Sequence, residues 1–266
     1  MDGKNTVNLL ERKMISILTE LKEKYGVFEI KAEFEAEGSR IEELMRLKDV
    51  TNAVNLPIII KIGGVEAVTD VYNGLSLGVK GIVAPMAETK YAISKFTDLI
   101  DNFIAKDNVS DIEFAVNIET ITACQNIDDM LSVHNLSNLS SVTVGRVDLA
   151  GSIELDRSLI NHSENMNDLC RDVFIKAKKQ LLKTALGGGI SIDALPIIKE
   201  LNDDGLIDKY ETRKVVFPAD SERYGEKSIL KAVEFELLWL QSKRRYYSGI
   251  KKEDEKRIIM LENRLK

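Results

Sequence analysis

The sequence predicts a (β/α)8 TIM barrel in a single catalytic domain, with additional C-terminal helices, and three observations predict it. Short apolar runs alternate with amphipathic stretches along most of the chain, which is the rhythm of parallel strands joined by helices. The length, 266 residues, is close to the ~250 that one such barrel takes. No Gly-x-Gly-x-x-Gly follows the first strand, so the main signature of an open dinucleotide-binding sheet is missing.

Taken in order, Asn8 to Tyr25 carries Leu9, Leu10, Met14, Ile15, Leu18 and Leu21 at helical spacing, and Gly26 stops it. Phe28 to Phe34 reads as the first strand. Ser39, with Glu42 three residues on, reads as a capping box for a helix running toward Asn52. Pro57 to Ile62 is a buried type of strand ending at Gly63-Gly64, and Val65 to Leu77 is the helix after it. Gly81 to Met86 is the next strand and Lys90 to Ile104 the next helix. Phe114 to Thr120 and Val142 to Ala150 are two β-rich runs enclosing a short helix around Ala123 to Leu131. Asn167 to Leu182 is a long helix, Lys183 to Ile190 a strand ending in three glycines, Ile192 to Asn202 a helix, and Tyr210 to Phe217 the last strand. Seven strands are readable, so the eighth is irregular, missing or hidden in a segment read otherwise.

Two further helices, Glu226 to Tyr247 and Glu253 to Arg264, exceed what a barrel needs. Residues 1–225 are therefore expected to form the barrel with its N-terminal helix, and 226–266 a helical extension. Phe235, Leu238, Trp239 and Tyr246 give that extension an apolar face, which suits packing on its own barrel or on a neighbouring subunit equally.

Hydrophobic residues at 44% and charged residues at 30% describe a globular protein, and the longest apolar runs, such as Leu56 to Ile60, are too short to span a bilayer. Residues 1–5 are polar and lead into an amphipathic helix rather than an apolar signal core, which points to the cytoplasm. A net charge of -6 argues against nucleic acid as a partner, because phosphate affinity needs a basic stripe; Lys243-Arg244-Arg245 reads as a solvated helix face. Cys124 and Cys170 lack zinc-ligand spacing and read as buried thiols, and His134 and His162 fall in polar segments unsuited to a zinc site.

Two carboxylates carry the functional signal. Glu119 and Asp148 close the two β-rich runs where the hydrophobic pattern breaks, and the C-terminal ends of neighbouring barrel strands converge on one face. With waters and a chelating 2-oxo acid they would complete an octahedral Mg²⁺ or Mn²⁺ sphere. The competing structural roles are a helix cap for Glu119 and a surface pair with Arg146 for Asp148. The Gly145-x-x-Asp148 turn favours function, since it offers backbone N–H groups beside the acid. Lys61, at the end of an isoleucine run, is expected to emerge at the barrel mouth. There it would hold a substrate carboxylate or, as a desolvated amine, form a Schiff base. The first strand alternates Glu29, Lys31, Glu33, Glu35 and Glu37 with apolar residues. Its charged face either points into the lumen, with Lys31 and Glu33 paired and Glu35 or Glu37 near the mouth, or lies in solvent. Arg213 on the last strand is a second candidate carboxylate clamp, or a structural partner of Glu211.

From about Leu56 to Ile153 the chain resembles the HpcH/HpaI aldolase and citrate lyase β-subunit family. The resemblance rests on Gly78-Val79-Lys80-Gly81-Ile82-Val83-Ala84-Pro85-Met86-Ala87-Glu88-Thr89, on Asn117-Ile118-Glu119-Thr120 followed by Asn126-Ile127-Asp128-Asp129-Met130, and on Gly145-Arg146-Val147-Asp148-Leu149-Ala150. It implies a barrel with Mg²⁺ or Mn²⁺ on Glu119 and Asp148, a pyruvate-like substrate chelating the metal, and its carboxylate on backbone amides near Gly145, Arg146, Val147 and Asp148. It implies reversible carbon–carbon cleavage with an aldehyde partner, through a metal-stabilised enolate, in a homo-oligomer that exchanges C-terminal helices. Two departures stand out: Lys61 replaces the family's usual arginine, and Glu33-Phe34 replaces a Glu-His pair, which leaves water, Glu35 or the leaving group to handle the proton. Acyl-CoA cleavage of the malyl- or citramalyl-CoA type, a Schiff-base aldolase using Lys61, and a barrel kept only as a binding or scaffold subunit are the alternatives.

Overall fold

A computed structural model describes residues 7–265; the polar start of the chain lies outside them. The elements run in order α1 (Leu9–Tyr25), β1 (Glu29–Glu33), α2 (Ile41–Asn52), β2 (Ile58–Lys61), α3 (Val68–Leu77), β3 (Gly81–Ala84), α4 (Lys90–Phe103), α5 (Lys106–Val109) and β4 (Glu113–Ile118). There follow α6 (Ile121–Met130), β5 (Ser141–Gly145), α7 (Arg146–Ser152), α8 (Glu164–Lys179), β6 (Lys183–Gly187), α9 (Leu195–Asp203), β7 (Lys209–Glu211), β8 (Val215–Pro218) and α10 (Glu226–Leu265). The eight strands close into a barrel in sequence order. Seven run parallel, in registers such as Glu33 opposite Lys61 and Gly145 opposite Gly187.

β8 is the strand that the sequence pattern hid. The run Tyr210 to Phe217 is two strands, not one: it folds on itself, with Tyr210 opposite Phe217, and β8 pairs antiparallel with both β7 and β1. The turn is closed by Thr212, whose N–H donates to the Val215 carbonyl at 2.9 Å while its Oγ1 accepts from the Val215 N–H at 3.1 Å. No glycine or proline marks it, because a threonine side chain does the closing. Arg213 therefore sits in this turn at the barrel mouth rather than on a strand.

Three other expectations shift. Ser39 does not cap α2; the chain turns one residue later, where the Arg40 N–H reaches Glu43 at 3.4 Å. Val142 to Ala150 is a strand only as far as Gly145, and Arg146 onward is helix. The two C-terminal helices are one helix of 40 residues, because Ser248-Gly249 leaves the backbone bonds intact where no proline follows.

α1 shows how the frame is held. Asn8 accepts from the N–H groups of Leu10 (2.9 Å) and Glu11 (3.1 Å), Glu11 returns to the Asn8 N–H at 2.7 Å, and the cap contributes about 1 kcal/mol. Gly26 ends the helix at φ 74°, a left-handed geometry that costs other residues more. The buried face Met14, Leu18 and Leu21 continues into the shell of helix and strand side chains around the barrel. Since α1 descends to the base and β8 also ends there, α10 starts at the base and rises beside α1 past the mouth. Phe235 and Trp239 are buried against the body, whereas Tyr246 and the residues after it are largely exposed.

β1 answers the question of its charged face. Ile30 and Ala32 are fully buried in the outer shell, and Glu29, Lys31 and Glu33 reach across the lumen. Lys31 meets Glu211 at 2.6 Å and Glu33 at 3.3 Å, and below them Lys209 meets Glu29 at 3.0 Å and Glu113 at 3.7 Å. The lumen is thus layered with ion pairs, and the space above them stays open.

Candidate active site

A cavity of about 700 Å³ opens at the C-terminal ends of the strands and reaches down to Lys31, Glu33 and Glu211. Lys61, Asn117, Glu119, Gly145, Val147 and Asp148 line one side, Gly187 to Ile190 and Arg157 another, and Glu35, Glu37, Arg213 and the α10 residues Val233, Glu236, Trp239, Leu240 and Lys243 the rest.

Glu119 is the centre of the first group. It follows β4 and is 2% exposed. Its neighbour Thr120, not Glu119, caps α6, accepting from the Ala123 N–H. Glu119 Oε1 accepts from Lys61 Nζ at 3.1 Å and from Asn117 Nδ2 at 2.9 Å, and Oε2 accepts from the Met86 N–H at 3.1 Å. A Cβ on Gly145 would fall 2.6 Å from Glu119 Oε1, so the carboxylate lies flat over that glycine and only glycine allows it. Asn117 and Met86 were not singled out for any role by the sequence reasoning. Asn117 could have been, because it stands two residues before Glu119 and so shares its face of β4. Met86 could not, since its contribution is a backbone N–H presented from a left-handed conformation, φ 51°.

Lys61 does not emerge into solvent. It is 6% exposed and bridges Glu119 and Glu35, the latter at 3.2 Å. Burial works against its charge, but the Glu119 carboxylate outweighs it and the pKa is raised. Asp148 is exposed in the first turn of α7 and forms no pair with Arg146. Arg146 is itself fully buried behind the cavity wall: Nε donates to the Gly188 carbonyl at 3.1 Å, both Nη atoms lack a partner among the described residues, and burial depresses its pKa. Its side chain therefore cannot touch a ligand in the cavity. Arg213 is half exposed and pairs with Glu37 at 3.3 Å and Glu33 at 3.7 Å, not with Glu211. Lys214, buried beside it, holds Glu37 and faces the Trp239 ring.

Other motif residues brace the site from behind. Thr120 Oγ1 donates to Glu88 at 2.7 Å, and Asn126 Nδ2 donates to the Glu88 carbonyl at 2.9 Å, which ties the β3 and β4 ends together. His134 and His162 are exposed, and Cys124 and Cys170 are buried free thiols, pushed up to about 11 and about 12 by burial.

The oxygens present fit a hard divalent cation. A carboxylate offers about four lone-pair sites, and three donors on Glu119 leave one of them open. Asn117 Oδ1 is buried without a partner among the described residues, and Asp148 supplies a second carboxylate. Seven acids line the cavity (Glu33, Glu35, Glu37, Glu119, Asp148, Glu211, Glu236) against five bases (Lys31, Lys61, Arg157, Arg213, Lys243), a surplus that favours one divalent cation. Among the described residues no three His, Cys, Asp or Glu side chains form a metal-holding group by themselves, so water and substrate would have to complete the sphere.

No protein-family model matches the chain, and no curated protein matches it in sequence. Solved structures do match. The HpcH/HpaI aldolase from Desulfitobacterium hafniense DCB-2 superposes at TM-score 0.60 with 14% identity, over 77% of this chain and 83% of its own. An HpcH/HpaI aldolase/citrate lyase family protein from Burkholderia cenocepacia J2315 covers 92% of both chains at TM-score 0.58 and 14% identity. A citrate synthase, SbnG, gives TM-score 0.60 and 15% identity over 77% of this chain and 82% of its own. The chain has the fold of the HpcH/HpaI aldolases. At these identities the likeness speaks for the barrel, and the chemistry has to be argued from the cavity. No helix among the described residues is long and apolar enough to cross a membrane.

Proposed function

We propose that this chain is a divalent-metal-dependent carbon–carbon lyase, an aldolase that joins a pyruvate-type 2-oxo acid to an aldehyde or runs the reverse cleavage. The observation that carries the proposal is the state of Glu119, a buried carboxylate fixed by Lys61, Asn117 and the Met86 amide, with one lone pair left open toward a cavity that Asp148 shares. The fold shared with HpcH/HpaI aldolases supports it. Glu119 and Asp148 would hold Mg²⁺ or Mn²⁺, which when bound supplies a Lewis acid at the 2-oxo group and makes the neighbouring methyl acidic.

The chain's own residues do the rest. Lys61 keeps its charge through Glu119 and Glu35, so it serves as a cation beside the substrate carboxylate, with Arg213 as a second cation at the rim; a protonated amine is a poor Schiff-base nucleophile. Gly145 and Val147 shape the wall against which the carboxylate lies, and Arg146 enters only through its backbone. Glu35 lines the cavity and takes the methyl proton; the new bond forms between that carbon and the aldehyde carbon, and the aldehyde oxygen takes a proton to become a hydroxyl. We place the enzyme in the cytoplasm as a homo-oligomer joined through the exposed half of α10.

The test is deuterium exchange into the pyruvate methyl, followed by NMR with added Mg²⁺ or Mn²⁺ and with EDTA. Exchange that requires metal and disappears in Glu119→Gln supports the proposal; absence of exchange under every metal condition overturns it.

A further inference from the structure

We propose that the cavity carries a second anion subsite, formed by the Gly189 and Ile190 amides with the Arg157 guanidinium, and that it takes the phosphoryl group of the aldehyde partner. The inference rests on the aldolase reading for its substrate, but the subsite itself rests on separate residues.

The turn after β6 is built to show its N–H edge. Gly188 and Gly189 both have positive φ, 74° and 66°. Their carbonyls are tied back by side chains outside the cavity: Arg146 Nε donates to Gly188 O at 3.1 Å, and Asn161 Nδ2 donates to Gly189 O at 3.2 Å. In a planar trans peptide the N–H points opposite to the carbonyl of the preceding residue. Carbonyls turned into the wall at 188 and 189 therefore turn the N–H groups of Gly189 and Ile190 toward the cavity that these residues line. Neither N–H has an acceptor among the described residues. Gly188 cannot be replaced, because a Cβ there would fall 2.7 Å from the backbone nitrogens of both Arg146 and Val147.

Arg157 is the independent observation. Of the five cations lining the cavity, Lys31, Lys61, Arg213 and Lys243 are each paired with at least one acid. Arg157 is exposed and is paired with no acid among the described residues, its neighbour Asp156 accepting from the Ser158 N–H and hydroxyl through Oδ1. An unpaired guanidinium lining the same cavity as two free amides gives an anion three sets of donors in an otherwise acid-rich space. A guanidinium fork and two N–H donors match a group with three terminal oxygens and nearly two negative charges better than a carboxylate. β6 adjoins β5, and Asp148 follows β5 in the first turn of α7, so the subsite and the proposed metal site open on one cavity from neighbouring strands.

The experiment compares addition of pyruvate to D-glyceraldehyde 3-phosphate and to D-glyceraldehyde, with the wild type and with Arg157→Gln. The expected preference in kcat/KM for the phosphorylated aldehyde is ~10- to 100-fold, the worth of one or two charged hydrogen bonds, and Arg157→Gln should erase most of it through KM. Equal use of the two aldehydes overturns the subsite. Wild-type methyl exchange, run alongside, reports on the aldolase reading by itself. Should exchange be absent, a titration of the ¹⁵N-labelled protein with inorganic phosphate still decides the subsite: saturable shifts of the Gly189 and Ile190 amides that Arg157→Gln removes support it, and unmoved amides overturn it.

Discussion

Two of the charge clusters in the barrel, one at the base and one at the mouth, differ in one respect that separates structure from function. At the base, Lys209 is shared by Glu29 and Glu113, and Lys183 closes the set on Glu113 at 3.1 Å. Every charge there has an opposite charge against it. At the mouth, Lys61 answers Glu119 and Glu35, yet Asn117 Oδ1 is left without a partner and Asp148 without an ion pair among the described residues. A closed cluster holds the lumen; an open one is waiting for a ligand's charge. The lesson is that burial of ion pairs does not by itself mark an active site, whereas unfilled valence inside a cavity does.

The largest effect that tests this contrast is at the base. Lys209→Met removes the cation between two carboxylates and should cost about 3–5 kcal/mol of stability, read as the shift in a urea unfolding curve. Pairing it with Glu29→Leu should recover most of that loss, since an apolar pair can replace a closed ion pair. A Lys209→Met protein as stable as wild type would show that the base cluster holds nothing. At the mouth, Glu119→Gln should reduce metal-dependent methyl exchange by ~100-fold or more while leaving a cooperative fold. Asn117→Ala is milder: it deletes one hydrogen bond to a charged group and should lower exchange by roughly 10-fold. If it lowers unfolding stability by several kcal/mol instead, the mouth cluster is structural after all.

The sequence displayed the mouth better than the base: Glu119, Asp148, Lys61 and Glu35 stand out in it, whereas Glu113, Lys183 and Lys209 do not. The charge alternation along Glu29 to Glu37 is visible in the sequence, but a two-residue period does not tell lumen from solvent; the structure puts Lys31 and Glu33 together inside, above the base cluster. The barrel itself was legible from the strand rhythm, except at β8, where Tyr210 to Phe217 looks like one strand because Thr212 closes the turn without glycine or proline. Asp148 was found, but on the wrong element: β-rich residues continue into α7, and only the helix's neighbours decide where the strand stops. Met86 and the Gly188–Gly189 turn act through backbone N–H groups and dihedral angles, which residue identity does not encode. The alternative of a surface pair between Arg146 and Asp148 fails for another reason: the Arg146 side chain is sealed behind the wall, and residue type alone does not show burial.

The smallest predicted effect is a flat response to pH, and its edges carry the comparison. Burial disfavours the ionised form of Glu33, but Lys31 and Arg213 outweigh it and hold its pKa below the ordinary 4.5. Glu113 is held below 4.5 in the same way, with Lys209 and Lys183 against its burial. The stability these groups contribute is fully present above 4.5 and is lost as pH falls through their lowered values. Lys61 and Lys209 lie on the other edge: burial opposes their charge, Glu119 and Glu29 respectively outweigh it, and both pKa values rise above 10.5. Their contribution is complete below 10.5 and fades only as pH climbs through the raised values. Glu29 runs against the trend, because its burial exceeds the pull of Lys209 and its pKa is raised, so its protonation on the acid side partly offsets the loss from Glu33 and Glu113. Unfolding free energy measured from about pH 6 to about pH 10 should therefore hold level, then fall on both sides. A steady slope across that plateau would mean that a group titrating near neutrality is coupled to folding. Lys214, whose pKa burial lowers against the pull of Glu37, and Glu29 and Glu236, whose pKa values burial raises, would then be the groups to reassign.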